Sequence, residues 1–230
     1  MDSYRTATAS RARRDADVST RHRERGAVGF TVKSGWSSAV LVVGPVTAPR
    51  VIDSQTIDLS DPALPESRQP YHAGFGTARA AGPRLSTLLA SVERFGRQSV
   101  ARLMSRYQEA GYDLRGVGLV VGSLIDPAQI ANDHIRIHAL EGQLFRGVIE
   151  RAAGRKGVPC SIWRERDLSE AAQTMLKQTE QELRDAIAAF GRDVDGPWRS
   201  EQKRAALAGW LVLAGRSAAR GRATGKAGAE

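Results

Sequence analysis

Two rhythms of apolar positions divide the chain. Residues 27–32 (A-V-G-F-T-V) and 38–43 (S-A-V-L-V-V) are apolar and rich in β-branched side chains. The segment between them, K-S-G-W-S, has the composition of a turn, so a β-hairpin is predicted. In residues 50–59, Val51, Ile57 and Leu59 share one parity while Ile52 falls on the other, which predicts a third strand at or near a sheet edge. Residues 116–123 enclose the run 117–121, apolar throughout and without alternation. Such a strand is covered on both faces, as happens when a crossover helix leads to a parallel partner, here residues 158–163.

The second rhythm has a spacing of three and four. Leu85, Leu88, Leu89, Val92, Phe95, Val100, Leu103, Met104 and Tyr107 predict one long helix, or two joined at Gly96, opened by Pro83 at the first helical position. A second helix starts near Asp133, with Asn132 or Asp133 as its cap. A third, capped by Asp167 or Ser169, carries a buried stripe from Leu168 through Thr179 to Phe190 and stops at Gly191. A last one, over residues 201–213, is capped by Ser200. Residues 60–82 are rich in proline and turn formers, and a loop of that length is usually a lid or a binding loop. The elements add up to an α/β fold: a mixed sheet of three antiparallel strands, then parallel strands, flanked by helices.

The helix that follows the run 117–121 carries the chemistry. His134, His138 and Glu141 stand at i, i+4 and i+7, on one face just beyond the carboxyl end of a strand, where α/β sheets place their sites. Histidines one turn apart present nitrogens to a common ion, with Glu141 as a third ligand and His72, in the loop Y-H-A-G-F-G, as a fourth; a divalent metal is the one cofactor this pattern names. The same residues serve proton transfer, with His138 as general acid or base oriented by Glu141. The plainest alternative is that the histidines only hydrogen-bond at the strand–helix junction.

The formal charge of +9 and the pI near 10.4 point toward a polyanion such as DNA or RNA, but the charge is unevenly placed. Residues 1–26 hold seven Arg against four acids, and residues 215–230 hold Arg216, Arg220, Arg222 and Lys226 against Glu230, leaving +3 for the part between. Both ends are poor in large apolar side chains and are expected to be disordered basic tails around one domain, residues 27–214. Cys160, the single cysteine, excludes an intrachain disulfide and a cysteine-rich zinc site, which fits a reducing, cytoplasmic setting. Lying inside a strand, it reads as an inert small hydrophobe rather than a nucleophile. No apolar run approaches the roughly 18 residues of a membrane span.

The order of elements resembles the ribonuclease H-like superfamily, most closely its RuvC-like resolvase branch. The opening G-F-T-V-K-S-G-W-S-S-A-V-L-V-V is similar to that branch's first hairpin. The segment G-Q-L-F-R-G-V-I-E-R-A-A-G-R-K-G-V-P-C-S-I-W-R-E-R-D-L is similar to its helix and fifth strand, and E-Q-K-R-A-A-L-A-G-W-L-V-L to its last helix, so the resemblance spans roughly residues 27–214. It implies a nucleic-acid-associated protein. Active members of the branch hold two divalent metals on acids from the first strand, the fourth strand and the last helix, for in-line phosphodiester displacement. Here those positions are Thr31 or Lys33, Gly122-Ser123 and Gln202-Lys203, none of them a carboxylate.

A second group follows from the resemblance. Lys33, Ser34, Arg136 and Lys203 would approach the face where the acids are missing, either to bind phosphate or to form an ion-pair network in place of the metals. Tyr71, His72 and Phe75 are candidates to stack on a base or to anchor the loop. Three functions stand: a divergent or inactive resolvase-like nuclease on DNA or RNA; a non-catalytic interaction or assembly module; and an enzyme using His134, His138 and Glu141 on a phosphorylated small molecule. A homodimer is compatible with each.

Overall fold

The computed structural model describes residues 23–74, 77–192 and 194–224, with side chains to residue 215. Residues 1–22 and 225–230 of the predicted tails, and Phe75, lie outside the described residues, whereas 215–224 continue the last helix. Strands β1 (Glu24–Lys33), β2 (Trp36–Val43) and β3 (Arg50–Asp58) form an antiparallel meander. A 3-10 turn (Pro65–Arg68) and a small hairpin of β4 (His72–Gly74) and β5 (Thr77–Ala78) fill the expected long loop. Helix α1 (Pro83–Glu109) returns the chain to β6 (Tyr112–Val121), and helix α2 (Asp133–Arg155) to β7 (Cys160–Arg164). Helices α3 (Leu168–Leu176), α4 (Glu180–Phe190) and α5 (Ser200–Thr224) close the fold. The sheet order is β3-β2-β1-β6-β7, with β6 parallel to both β1 and β7.

Two cores lie on the two faces of this sheet. On one, Val28, Phe30, Val117 and Leu119 pack beneath α1 and α2; on the other, Val40, Val42 and Val120 pack beneath α3, α4 and α5. This double cover is why β1, β2 and β6 show no alternation. Helix α5 approaches the sheet most closely. A Cβ on Gly29 would fall inside the Ala205 carbonyl, and one on Gly118 would sit 2.6 Å from the Ala208 carbonyl oxygen. Glycine in the strands and alanine in the helix therefore let backbone rest on backbone.

Local chemistry decides between or departs from the sequence expectations in four places. β3 takes the sheet edge as expected, but a bulge at Ile52 sends Val51 into the α5-side core and Ile57 and Leu59 into the α1-side core, although the three share a parity. Helix α1 runs unbroken through Gly96, which lies against Val148 and the Leu59 carbonyl. The single helix expected over 168–190 is two, because Lys177 turns left-handed (φ 55°) and Thr179 caps α4 in a reciprocal box with Glu182. Thr179 is thus a cap rather than part of the buried stripe. At the ends, β1 begins at Glu24, and Ser200 is the first residue of α5, a helix that continues to Thr224. No described helix is long and apolar enough to cross a membrane.

Candidate functional site

The parallel strands β1, β6 and β7 end on the same side, at Lys33, Val121 and Arg164. Above them the two faces of the sheet present different chemistry.

On the α5 face stand the positions where the resemblance places metal-binding acids. Thr31 is buried, and its hydroxyl donates to the Glu201 carbonyl at 2.8 Å. The Gln202 amide donates to the buried Ser38 hydroxyl at 3.2 Å and accepts from the Arg199 backbone N–H at 3.1 Å. These neutral groups spend their hydrogen-bonding capacity on tying the first turn of α5 to β1 and β2. Gly122 has no side chain, and the Ser123 hydroxyl accepts from the Ile125 N–H at 3.1 Å. Two divalent ions need several convergent carboxylates, and this donor set does not fit them.

Lys33 leans to the same face. Its ammonium lies 3.9 Å from Glu165, whose other oxygen accepts from Arg204 at 2.7 Å. Glu201 is held below the usual carboxylate range, first by its own backbone N–H, then by the Ser200 hydroxyl, with Lys33 and Arg204 adding to the effect.

On the α2 face the groups are ionisable and they converge. The Asn132 side chain accepts from the Ile135 N–H at 3.0 Å and so starts α2 where His134 and His138, one turn apart, share a face. Their Nε2 atoms are 3.3 Å apart and their rings meet edge to face. Strand β4 brings in His72, whose ring centroid is 5.1 Å from that of His138 and 6.4 Å from that of His134. One ring nitrogen from each of the three lies within 4.8 Å of the others.

Glu141 stands behind this group and outside it. Its side chain is fully buried; Oε1 is 2.8 Å from His72 Nδ1, and Oε2 accepts from the Ser34 hydroxyl at 3.3 Å. Burying a carboxylate is costly unless it is paired, and these are its partners. Burial, and then the Glu141 charge, push the Tyr71 phenol above its ordinary value. His138 sits where two clefts meet. One, of about 720 Å³, is lined by Arg68, Gln69, His72, Arg79 and His134; the other, of about 590 Å³, by Lys33, Ser34, Asp126, Ile130 and Ile135. Leu124, Ile125 and Ile135 are exposed on the rim of the second.

The structure therefore joins His72, His134, His138, Glu141 and Ser34, and divides the predicted phosphate group. Arg136 pairs with Asp133 at 2.6 Å, Lys33 faces Glu165, and Lys203 lines a separate cleft with Ser200, Arg184 and Arg204. Lys33 enters an ion-pair network, one of the two roles open to it in the sequence, but with Glu165 and Arg204, which nothing in the local pattern marks. Cys160 lies on β7 beside Val117, and burial, helped by Glu150, pushes its thiol up to about 11.

No family model and no curated protein matches the chain. Among solved structures, Thermus thermophilus RuvC is similar over 84% of this chain and 96% of its own, at 11% identity and a TM-score of 0.50. The T. thermophilus RuvC complex with Holliday junction substrate is similar over 85% and 96%, at 12% identity and a TM-score of 0.50. The yeast mitochondrial Holliday junction resolvase Ydc2 aligns over 86% and 85%, at 8% identity and a TM-score of 0.41. What is shared at this identity is the backbone: the chain has a ribonuclease H-like α/β fold similar to that of RuvC.

Proposed function

We propose that this protein associates with nucleic acid through a resolvase-like scaffold and does not carry out two-metal phosphodiester hydrolysis. The observation that carries the reading is the α5 face, where Thr31 and Gln202, at positions that need metal-binding carboxylates, are buried and hydrogen-bonded instead to the Glu201 carbonyl and the Ser38 hydroxyl. A nucleic-acid partner is supported by the net charge of +9 and by the similarity in fold to a RuvC structure that holds a Holliday junction. The test is binding and cleavage by the full chain on duplex, single-stranded and four-way-junction DNA and RNA, with Mg²⁺ or Mn²⁺, over a salt series. Binding that weakens steeply with salt, with every substrate intact, is the expected result. Specific cleavage in Mg²⁺, or no binding at low salt, overturns it.

A second reading, an interaction module that pairs copies of this chain, is favoured by the exposed Leu124, Ile125 and Ile135 around one cleft. Sedimentation of the full chain and of Ile125→Glu decides it. A dimer that the substitution converts to a monomer supports the module, and a monomer in both cases removes it.

A further inference from the structure

His134 and His138 stand within hydrogen-bond distance of each other, and His72 converges on the same pair, which that one hydrogen bond does not require. Zinc-type ions bind histidine nitrogen at about 2.0–2.1 Å, so two such nitrogens on a tetrahedral ion are separated by about 3.3 Å. His134 and His138 hold their Nε2 atoms at 3.3 Å, and His72 brings a nitrogen within 4.8 Å of both. Convergence of this kind is unfavourable when the rings are protonated. It is favourable when their lone pairs share a cation.

Glu141 supplies the second, independent observation. With Nδ1 of His72 donating to a fully buried carboxylate, the tautomer is set and Nε2 becomes the ring's free lone pair. A carboxylate behind a ligating histidine orients the ring and raises its basicity, and this is the usual outer partner of histidine metal ligands. The carboxylate is held from its other side by Ser34 of the β1–β2 turn, so the sheet itself fixes the direction in which His72 points.

We propose that His72, His134 and His138 bind one divalent late first-row transition ion, of the zinc class, with Glu141 as the positioning residue of His72. Three nitrogens without thiolate or carboxylate select such an ion over Mg²⁺ or Ca²⁺, which prefer oxygen. Three protein ligands leave a fourth position for water or an anionic oxygen. That position opens to the cleft lined by Arg68 and Gln69. The site lies on the opposite face of the sheet from Thr31 and Gln202 and does not depend on the nucleic-acid reading.

The test uses the full chain, stripped with a chelator and checked by circular dichroism. Titration with Co²⁺, followed by its visible spectrum, and with Zn²⁺, followed by calorimetry and metal analysis, should each give one ion per chain and a tetrahedral cobalt spectrum. Excess Mg²⁺ should not compete. His138→Ala and His134→Ala, at exposed positions that leave the core intact, should each weaken binding at least a hundredfold. Glu141→Gln should weaken it ten- to a hundredfold, and His22→Ala, which removes the remaining histidine, should leave it unchanged. The proposal is overturned if folded wild-type protein takes up less than one Zn²⁺, if His138→Ala binds as tightly as wild type, or if His22→Ala abolishes binding. A bound ion with no nucleic-acid binding would overturn the preceding reading alone.

Discussion

The two sides of the sheet's carboxyl end are made of different materials. On the α5 side, Thr31, Ser38 and Gln202 are buried, neutral and spent: each hydrogen bond joins one structural element to another. On the α2 side, three histidines face one another beside open clefts, and the buried carboxylate of Glu141 holds one of them. The first arrangement seals a helix onto a sheet, and the second gathers ionisable side chains at open clefts.

The largest effect should come from breaking the sealed side. Gly29→Ala puts a methyl group into the Ala205 carbonyl and must lift α5 off β1. The expected cost is at least about 3 kcal/mol, toward the upper end for overpacking, and urea denaturation should show a much lower midpoint or no cooperative transition. Unchanged stability would mean that the two backbones are not in contact.

Removing one polar group from each side sharpens the contrast. Glu141→Ala leaves the half-buried Ser34 hydroxyl and the His72 N–H without an acceptor, at an expected cost of about 2–3 kcal/mol. Gln202→Ala removes a neutral link from Ser38 and the Arg199 N–H, at about 1 kcal/mol. Chemical denaturation of the pair compares them, and an equal or inverted order would contradict the view that the α2 side carries the larger electrostatic load.

The smallest effect belongs to Cys160, which lies at neither site. With its thiol raised to about 11, it is protonated at neutral pH, and the thiolate appears only as pH climbs toward that value. Alkylation by iodoacetamide in the native state should therefore be slow at pH 7.5 and quicken through pH 10. Rapid modification at neutral pH would show an activated thiol.

Much of the fold was legible in the sequence, for a physical reason that can be seen in single segments. The run 117–121 and the hairpin strands lack alternation because both sheet faces are covered, and that cover is written residue by residue. The bulge at Ile52 was not legible, because one extra residue on β3 is defined only against β2. The break between α3 and α4 had a readable signal in Thr179 and Glu182, whose carboxylate is lowered by the Thr179 backbone N–H and hydroxyl, but the continuing apolar period of Leu176, Leu183 and Ile187 masked it.

For the site, helical spacing alone put His134, His138 and Glu141 on one side of one helix, because 3.6 residues per turn is a local property. The roles within that group were decided by the tertiary structure. Glu141 is turned inward toward Ser34 and His72, which are far away in sequence, and His72 takes the place among the nitrogens that the spacing had offered to Glu141. The same holds for Lys33 and Lys203, which only the closing of α5 onto β1 assigns to different surroundings. Periodicity, charge and composition are carried by the chain itself and were determined before it folded. Which donor meets which acceptor across a buried interface is set by long-range packing, and no local rule encodes it.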